Sequence, residues 1–89
     1  MTFTTERLPL AIYLHASEKL TFDRCESVGN GKVRFVFQDH KNLGDQVELE
    51  FERGAVVSAT ALFASQKFLR RKMTEKLKNG ESDDNPHYS

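Results

Sequence analysis

The stretch LTFDRCESVGNGKVRFVFQ, residues 20–38, decides the fold of this chain. Two runs rich in β-branched and aromatic residues flank the triplet Gly29-Asn30-Gly31. Asn-Gly is the strongest short hairpin signal, because both central positions of a type I′ turn need positive φ. The sequence therefore predicts a β-hairpin that turns at Asn30 and Gly31, and this turn sets Val28 opposite Val33.

The predicted register divides the hairpin into two faces. We expect the apolar face to lie in the core; its residues are Leu20, Phe22, Val28, Val33, Phe35 and Phe37. The other face is mostly polar and open to solvent; its residues are Asp23, Cys25, Arg34, Val36 and Gln38. The candidate partner-binding residues belong to this open face and are Cys25, Arg34, Val36 and Gln38.

An N-terminal helix is predicted over about residues 6–17. Thr4 and Thr5 can cap it, and Pro9 falls in or near the first turn, where a missing N–H costs least. An apolar stripe of helical period follows, made of Leu8, Leu10, Ala11, Ile12, Leu14 and His15. We expect this stripe to pack on the hairpin.

A long C-terminal helix is predicted from its cap, Ser58, through the run ATALFASQKFLRRKMTEKLK, and Asn79-Gly80 ends it. Its apolar side is formed by Leu62, Leu69, Met73 and Leu77. Residues 80–89, GESDDNPHYS, have the composition of a solvated acidic tail, which we expect to be flexible. The predicted domain therefore spans residues 1–79.

The segment LGDQVELEFER, residues 43–53, has two interpretations. Val47, Leu49 and Phe51 alternate with glutamates, which is a strand pattern. Leu43, Val47 and Phe51 are also four residues apart, which is a helix pattern that leaves Leu49 off the stripe. Periodicity alone favours a third strand in an antiparallel sheet.

Composition fits one small globular domain. The chain has 89 residues, of which 38% are hydrophobic, and its 13 basic residues equal its 13 acidic ones, so no global field attracts nucleic acid or anionic membrane. A single cysteine, Cys25, excludes an internal disulfide and a multi-cysteine zinc site. No secretory signal or membrane span is predicted, so we expect a cytoplasmic protein. The predicted fold class is α+β, with the N-terminal and C-terminal helices packed on one face of the hairpin.

Three motifs carry a family resemblance: LAIYL (10–14), VRFVFQD (33–39), and F-x-x-G-x-x-V (51–57) followed by KFLRRKM (67–73). Together they resemble a family of small domains of unknown function found in bacterial genomes and phages. The resemblance covers roughly residues 5–73 and rests mainly on apolar and turn positions. It implies a helix before Gly54, against the strand that periodicity favours, and it brings no catalytic signature.

Candidate chemistry is sparse. A Cys beside an imidazole can become a thiolate, but His15, Asp23 and Cys25 share no spacing motif, and a lone Cys is usually an apolar filler. Asp39, His40 and Asp45 resemble metal ligands but also suit an ordinary turn. The sequence therefore predicts no catalytic residue, metal or cofactor, and the protein is not expected to be an enzyme.

The C-terminal helix holds the densest charge. Between positions 67 and 78 it has six basic residues and one acid, Glu75. The side chains that could follow a phosphate backbone are Lys67, Arg70, Arg71 and Lys78. We expect no exposed aromatic among them, which counts against single-strand binding. A charged helix of this kind also keeps a packed element soluble.

The function expected from these features is that of a non-catalytic interaction module, phage or mobile-element encoded. It is expected to bind a protein partner or to form a homo-oligomer through the open sheet face around Val36 and Cys25 and through the charged helix. The alternative is a nucleic-acid-binding protein that uses the basic helix. Residues 39–52 hold five acids against Lys41 alone, so the charged surface is bipolar and suited to docking. The alternative is that the acidic segment and the basic helix pair with each other within the fold.

Overall fold

The computed structural model describes residues 1–81 and confirms the α+β class. In chain order its elements are β1 (Thr2–Thr5), α1 (Leu8–Ser17), β2 (Thr21–Gly29), β3 (Lys32–Gln38), α2 (Gly44–Glu52) and α3 (Ala59–Glu81). The strands form one antiparallel sheet in the order β1-β3-β2. The predicted packing of the two outer helices on the hairpin is also present, since α1 and α3 contact each other and β2.

The third strand comes from the N-terminus and not from residues 43–53. β1 pairs with the free edge of β3, with Phe3 opposite Phe37. Thr4 and Thr5 therefore lie in a strand, and the predicted caps of the first helix are wrong. α1 begins after Arg7, which makes no side-chain cap, although the Arg7 amide donates to Thr5 Oγ1 at 3.0 Å.

The hairpin turns where predicted, but its register differs. Asn30 and Gly31 have φ of 57° and 73°, as a type I′ turn requires. Beyond the turn Ser27, and not Val28, lies opposite Val33, because β2 has a register shift between Ser27 and Gly29. The predicted Val28–Val33 pairing is wrong.

A second shift in β2 returns Phe22 to the predicted core face, although its cross-strand partner differs from that of the predicted register. This bulge lies between Phe22 and Arg24, so that Phe22 pairs with Phe37 as alternation requires. Between the two bulges the faces are inverted relative to the prediction, and Cys25 lies opposite Phe35. Bulges also blunt the free edge of β2 against pairing with another strand.

The segment 44–52 forms a helix, α2, because residues outside the segment determine where the helix begins. The buried carboxylate of Asp39 accepts hydrogen bonds from the amides of Leu43, at 2.7 Å, and Gly44, at 2.8 Å. A Cβ at Gly44 would collide with the ring of Phe3, so only glycine fits here. Leu49 is 49% exposed. The strand favoured by periodicity, which would have buried Leu49, is therefore wrong.

The core lies between the sheet and the two outer helices. Its largest fully buried side chains are Leu10, Leu14, Phe35, Phe37 and Leu69. Each buried aliphatic or aromatic side chain of this size contributes about 1.5–3 kcal/mol to folding. α1 and α3 therefore hold one side of the sheet, and the outer side faces solvent.

α3 starts at the predicted cap, since Ser58 Oγ accepts the amide of Ala61 at 3.0 Å. The helix continues through Asn79 and Gly80 to Glu81, so its predicted end is wrong. The remainder of the predicted tail, residues 82–89, lies outside the described residues. Within residues 1–81 no helix is both long and apolar enough to cross a membrane.

Candidate interaction surface on the C-terminal helix

The structure places Cys25 in the core and not on the open face. It is 9% exposed and belongs to the buried cluster with Phe35. Burial raises the pKa of its thiol, an effect that Lys76 and Lys72 partly oppose. The predicted role of Cys25 as a partner-binding residue of the open face is therefore wrong.

Val36 lies on the outer face as predicted, because its neighbours Phe35 and Phe37 face the core. It is nevertheless only 1% exposed. Its cross-strand neighbours are Thr4 and Arg24, whose side chains share that face. Val36 is thus not accessible to a partner in this conformation.

The other two predicted residues of this face, Arg34 and Gln38, belong to a polar network above Val36. Gln38 Nε2 donates to Asp23 Oδ2 at 2.7 Å, and Arg34 lies 3.3 Å from Glu26. The network is completed by Arg24, which pairs with Asp23 at 2.6 Å and Glu26 at 2.7 Å. The hydrogen bond from Arg24 lowers the pKa of Glu26. The charged side chains of the outer sheet face therefore pair with one another, although Arg34 Nε is buried without a hydrogen-bond partner among the described residues.

His15 contacts a serine and not a cysteine. Its Nδ1 lies 2.7 Å from Ser65 Oγ, and its ring stacks on Phe68 at 4.6 Å between centroids. Ser65 is 3% exposed, which leaves its hydroxyl no approach for a substrate. Burial lowers the pKa of His15, and Glu18 partly opposes this. The pair joins α1 to α3 and serves packing.

The candidate metal ligands around the end of β3 have a structural role instead. Both carboxylate oxygens of Asp39 accept backbone amides at the start of α2. His40 and Asp45 are exposed on either side. Residues 1–81 contain no group of three His, Cys, Asp or Glu side chains arranged to hold a metal ion.

The acidic segment is neutralised by residues that flank α1. Arg7 lies 2.6 Å from Glu52 and 3.4 Å from Glu48, and its guanidinium also lies over the ring of Phe51. Lys19 lies 2.7 Å from Glu50 and lowers the pKa of that carboxyl. The glutamates of α2 therefore form ion pairs with Arg7 and Lys19 and not with the basic residues of α3.

One face of α3 points away from the fold. At 100° per residue, side chains three, four and seven apart share a face, and the outward ones form a single row. We call this row the outward stripe; it consists of Thr60, Phe63, Lys67, Arg70, Arg71, Thr74 and Lys78. Every one of these side chains is exposed.

Phe63 is the unexpected member of the outward stripe. It is 70% exposed and stands one turn before Lys67 and two turns before Arg70. The prediction concerned the residues among the basic side chains at 67–78, and there it holds, because Phe68 is half-buried; Phe63 lies just before them on the same face. On the helical wheel Phe63 lies about 120° from Leu69, which is fully buried, so the sequence pattern places Phe63 off the apolar side of α3.

The seven residues of the stripe include four cations and no acid, and the exposed Glu75 lies beside the stripe, one turn from Arg71 and from Lys78. Among residues 1–78, the one ion pair of α3 joins Lys72 to Glu75 at 4.0 Å, and neither residue belongs to the stripe. Lys72 also lies 5.5 Å over the ring of Phe68, which draws it toward the body of the domain. Phe63, Thr60 and Ala64 line a shallow apolar depression that Lys67 and Arg70 border.

Comparison with known protein families, characterised proteins and solved structures gave no match. The resemblance to small bacterial and phage domains stays a prediction.

Proposed function

We propose that the chain is a non-catalytic interaction domain and that its binding surface is the outward stripe of α3. The observation that carries this proposal is the exposed aromatic ring of Phe63, on a regular helix, beside Lys67 and Arg70, which form no ion pair among residues 1–78. Single exposed apolar residues are common, but an aromatic ring rimmed by arginine has the composition of an interface hot spot.

The candidate catalytic groups support the non-catalytic part of the proposal. Cys25 fills the core, Ser65 is buried under His15, and the carboxylate of Asp39 is occupied by amides. Each of these reactive side chains stabilises the fold. None of them combines with another at an accessible surface.

The outer sheet face is a weaker candidate for the binding surface than the sequence suggested. Its apolar residue, Val36, is buried, and Arg34 and Gln38 are engaged with Glu26 and Asp23. A partner would have to break these contacts before it gained its own. The outward stripe requires no such rearrangement.

Self-association through the stripe is disfavoured by charge. A two-fold dimer presents the same surface on both subunits, so Lys67, Arg70 and Arg71 of both subunits would share one interface. Like charges that are brought together in an interface that excludes water repel one another. We therefore propose a different protein as the partner.

Binding of nucleic acid is the second candidate function, favoured by the lack of acids on the stripe. Lys67, Arg70, Arg71 and Lys78 span about three turns of helix and can contact successive phosphates. This candidate predicts binding that weakens steeply with salt, with a smaller salt slope when Arg71 is changed to Glu.

The experiment that tests the proposal is retention of partners by the immobilised chain from a lysate of its source, compared between two variants. Phe63→Ala removes the exposed ring of the stripe. Val56→Ala is the matched control, since Val56 is 90% exposed but lies before α3. We expect Phe63→Ala alone to lose the retained protein. Equal retention by both variants would contradict the proposal.

A further inference from the structure

We infer that the partner contributes an acidic amphipathic helix, whose apolar residues pack on Phe63 and whose carboxylates pair with Lys67, Arg70 and Arg71. This inference rests on the proposed function, because it assigns the class of partner to the same outward stripe. Three properties of the stripe lead to it: its spacing, the nature of its depression and its charge.

Spacing indicates a helical partner. Phe63, Lys67, Arg70 and Thr74 follow one another at intervals of four, three and four residues, which is the spacing of a seam between packed helices. From Thr60 to Thr74 the stripe is about 21 Å long at 1.5 Å per residue. A partner helix of about four turns matches this length.

The depression indicates an apolar anchor in the partner. Small side chains, Thr60 and Ala64, flank the ring of Phe63 and leave room beside it. Lys67 and Arg70 also line the depression, and side chains of this type can pack their methylene stems on an apolar group while their charges stay in water. A leucine or phenylalanine of a facing helix fits such a hole between side chains.

The charge of the stripe determines which residue types we expect beside the apolar anchor of the partner. Three cations lie within five residues of α3, and none of them forms an ion pair with a carboxylate among residues 1–78. Aspartate or glutamate beside the apolar anchor would complete these pairs at the rim of the interface. Phosphates would satisfy the cations equally but would leave the apolar depression unfilled, so the geometry favours a peptide over nucleic acid.

The test is a selection from a displayed library of helical peptides in which the positions on one face of the peptide helix are randomised. The intact chain is the bait, and the Phe63→Ala variant is the counter-selection bait. Enriched peptides are then synthesised, and their binding is measured by fluorescence anisotropy at low and high salt. Labelled single-stranded and double-stranded DNA of mixed sequence are measured in parallel.

Enriched peptides are expected to carry an apolar residue flanked by Asp or Glu at helical spacing. Phe63→Ala should weaken their binding by about tenfold, as expected for an aromatic hot spot. Arg70→Glu should weaken binding at low salt more than at high salt. Val56→Ala and Arg53→Glu, exposed changes outside α3, are the matched controls and should have no effect.

Two results would overturn the inference in distinguishable ways. If the enriched peptides are neutral or basic, or if DNA binds more tightly than any peptide, while Phe63→Ala still weakens binding, the partner class is wrong and the stripe remains the binding surface. If binding is unchanged by both Phe63→Ala and Arg70→Glu, the inference fails together with the proposed function.

Discussion

Cys25 lies opposite Phe35 on the core face of the sheet. The bulge at Val28 produces this pairing, because one additional residue in β2 turns the side chains beyond it to the other face. The bulge at Asp23 then returns Phe22 to the core. A sequence pattern that alternates cleanly is thus interrupted twice within nine residues.

This placement predicts that the Cys25 thiol reacts slowly in the folded protein. Burial and a raised pKa both reduce the thiolate available for attack. The rate of reaction with a disulfide reagent at neutral pH should rise by at least about tenfold in denaturant. A cysteine introduced at the exposed position Val56, in a Cys25→Ala background, provides the control and should react at one rate throughout. Equal rates for folded and unfolded Cys25 would contradict the buried placement.

We predict that the fold loses stability in mild acid because of His15. Its folded pKa is lowered from 6.5, so the unfolded chain binds the proton more readily. The free energy of unfolding is therefore highest above pH 6.5 and falls as the pH decreases through that value toward the lower folded pKa. The lowered pKa values of Glu26 and Glu50 change the free energy of unfolding only below about pH 4.5, so their effect is separate from that of His15.

Thermal unfolding between about pH 7.5 and about pH 5.5 measures the effect of His15. His15→Gln should flatten this dependence, whereas His40→Gln, a change at an exposed histidine, should preserve it. Ser65→Ala should cost about 1 kcal/mol at neutral pH through the lost hydrogen bond. A wild-type pH dependence that survives in His15→Gln would show that another group is responsible.

Asp39 is predicted to be the most sensitive polar residue of the fold. Its two carboxylate oxygens accept the amides of Leu43 and Gly44, so Asp39→Ala leaves one buried and one part-buried donor without this partner. The expected loss is about 2–3 kcal/mol in the free energy of unfolding, measured by denaturant titration. Asp45→Ala, at an exposed acid in the first turn of α2, should cost less than about 1 kcal/mol. Equal losses would contradict the capping role of Asp39.

The parts of the fold that local chemistry determines were predictable from sequence. Asn30 and Gly31 specify their turn through positive φ, Ser58 caps α3, and apolar spacing marks both outer helices. β1 was missed because four residues, TFTT, carry no periodic signal and form a strand only against the free edge of β3. Contacts distant in sequence also decide α2, where Asp39 and Phe3 require a helix start at Gly44.

The candidate site was predictable only in part. Lys67, Arg70, Arg71 and Lys78 are exposed on α3, as the charge pattern indicated. The predicted register of the hairpin was wrong, so Cys25 was assigned to the open face and that face of the sheet was predicted to bind the partner. The importance of Phe63 emerges when its exposure and the pairing of α2 with Arg7 and Lys19 are known. The exposure of Phe63 follows from the helical wheel, whereas the pairing of α2 with Arg7 and Lys19 depends on tertiary packing, which periodicity does not contain.

The most direct measurement of the central claim is photo-cross-linking from the outward stripe. A photoreactive phenylalanine analogue replaces Phe63 in one variant and Leu49 of α2, 49% exposed, in a second. After irradiation in a lysate of the source, we predict a single protein adduct at position 63, lost when Lys67 and Arg70 are changed to Glu, and no adduct at position 49. Equal adducts at both positions, or none at position 63, would contradict the outward stripe of α3 as the binding surface.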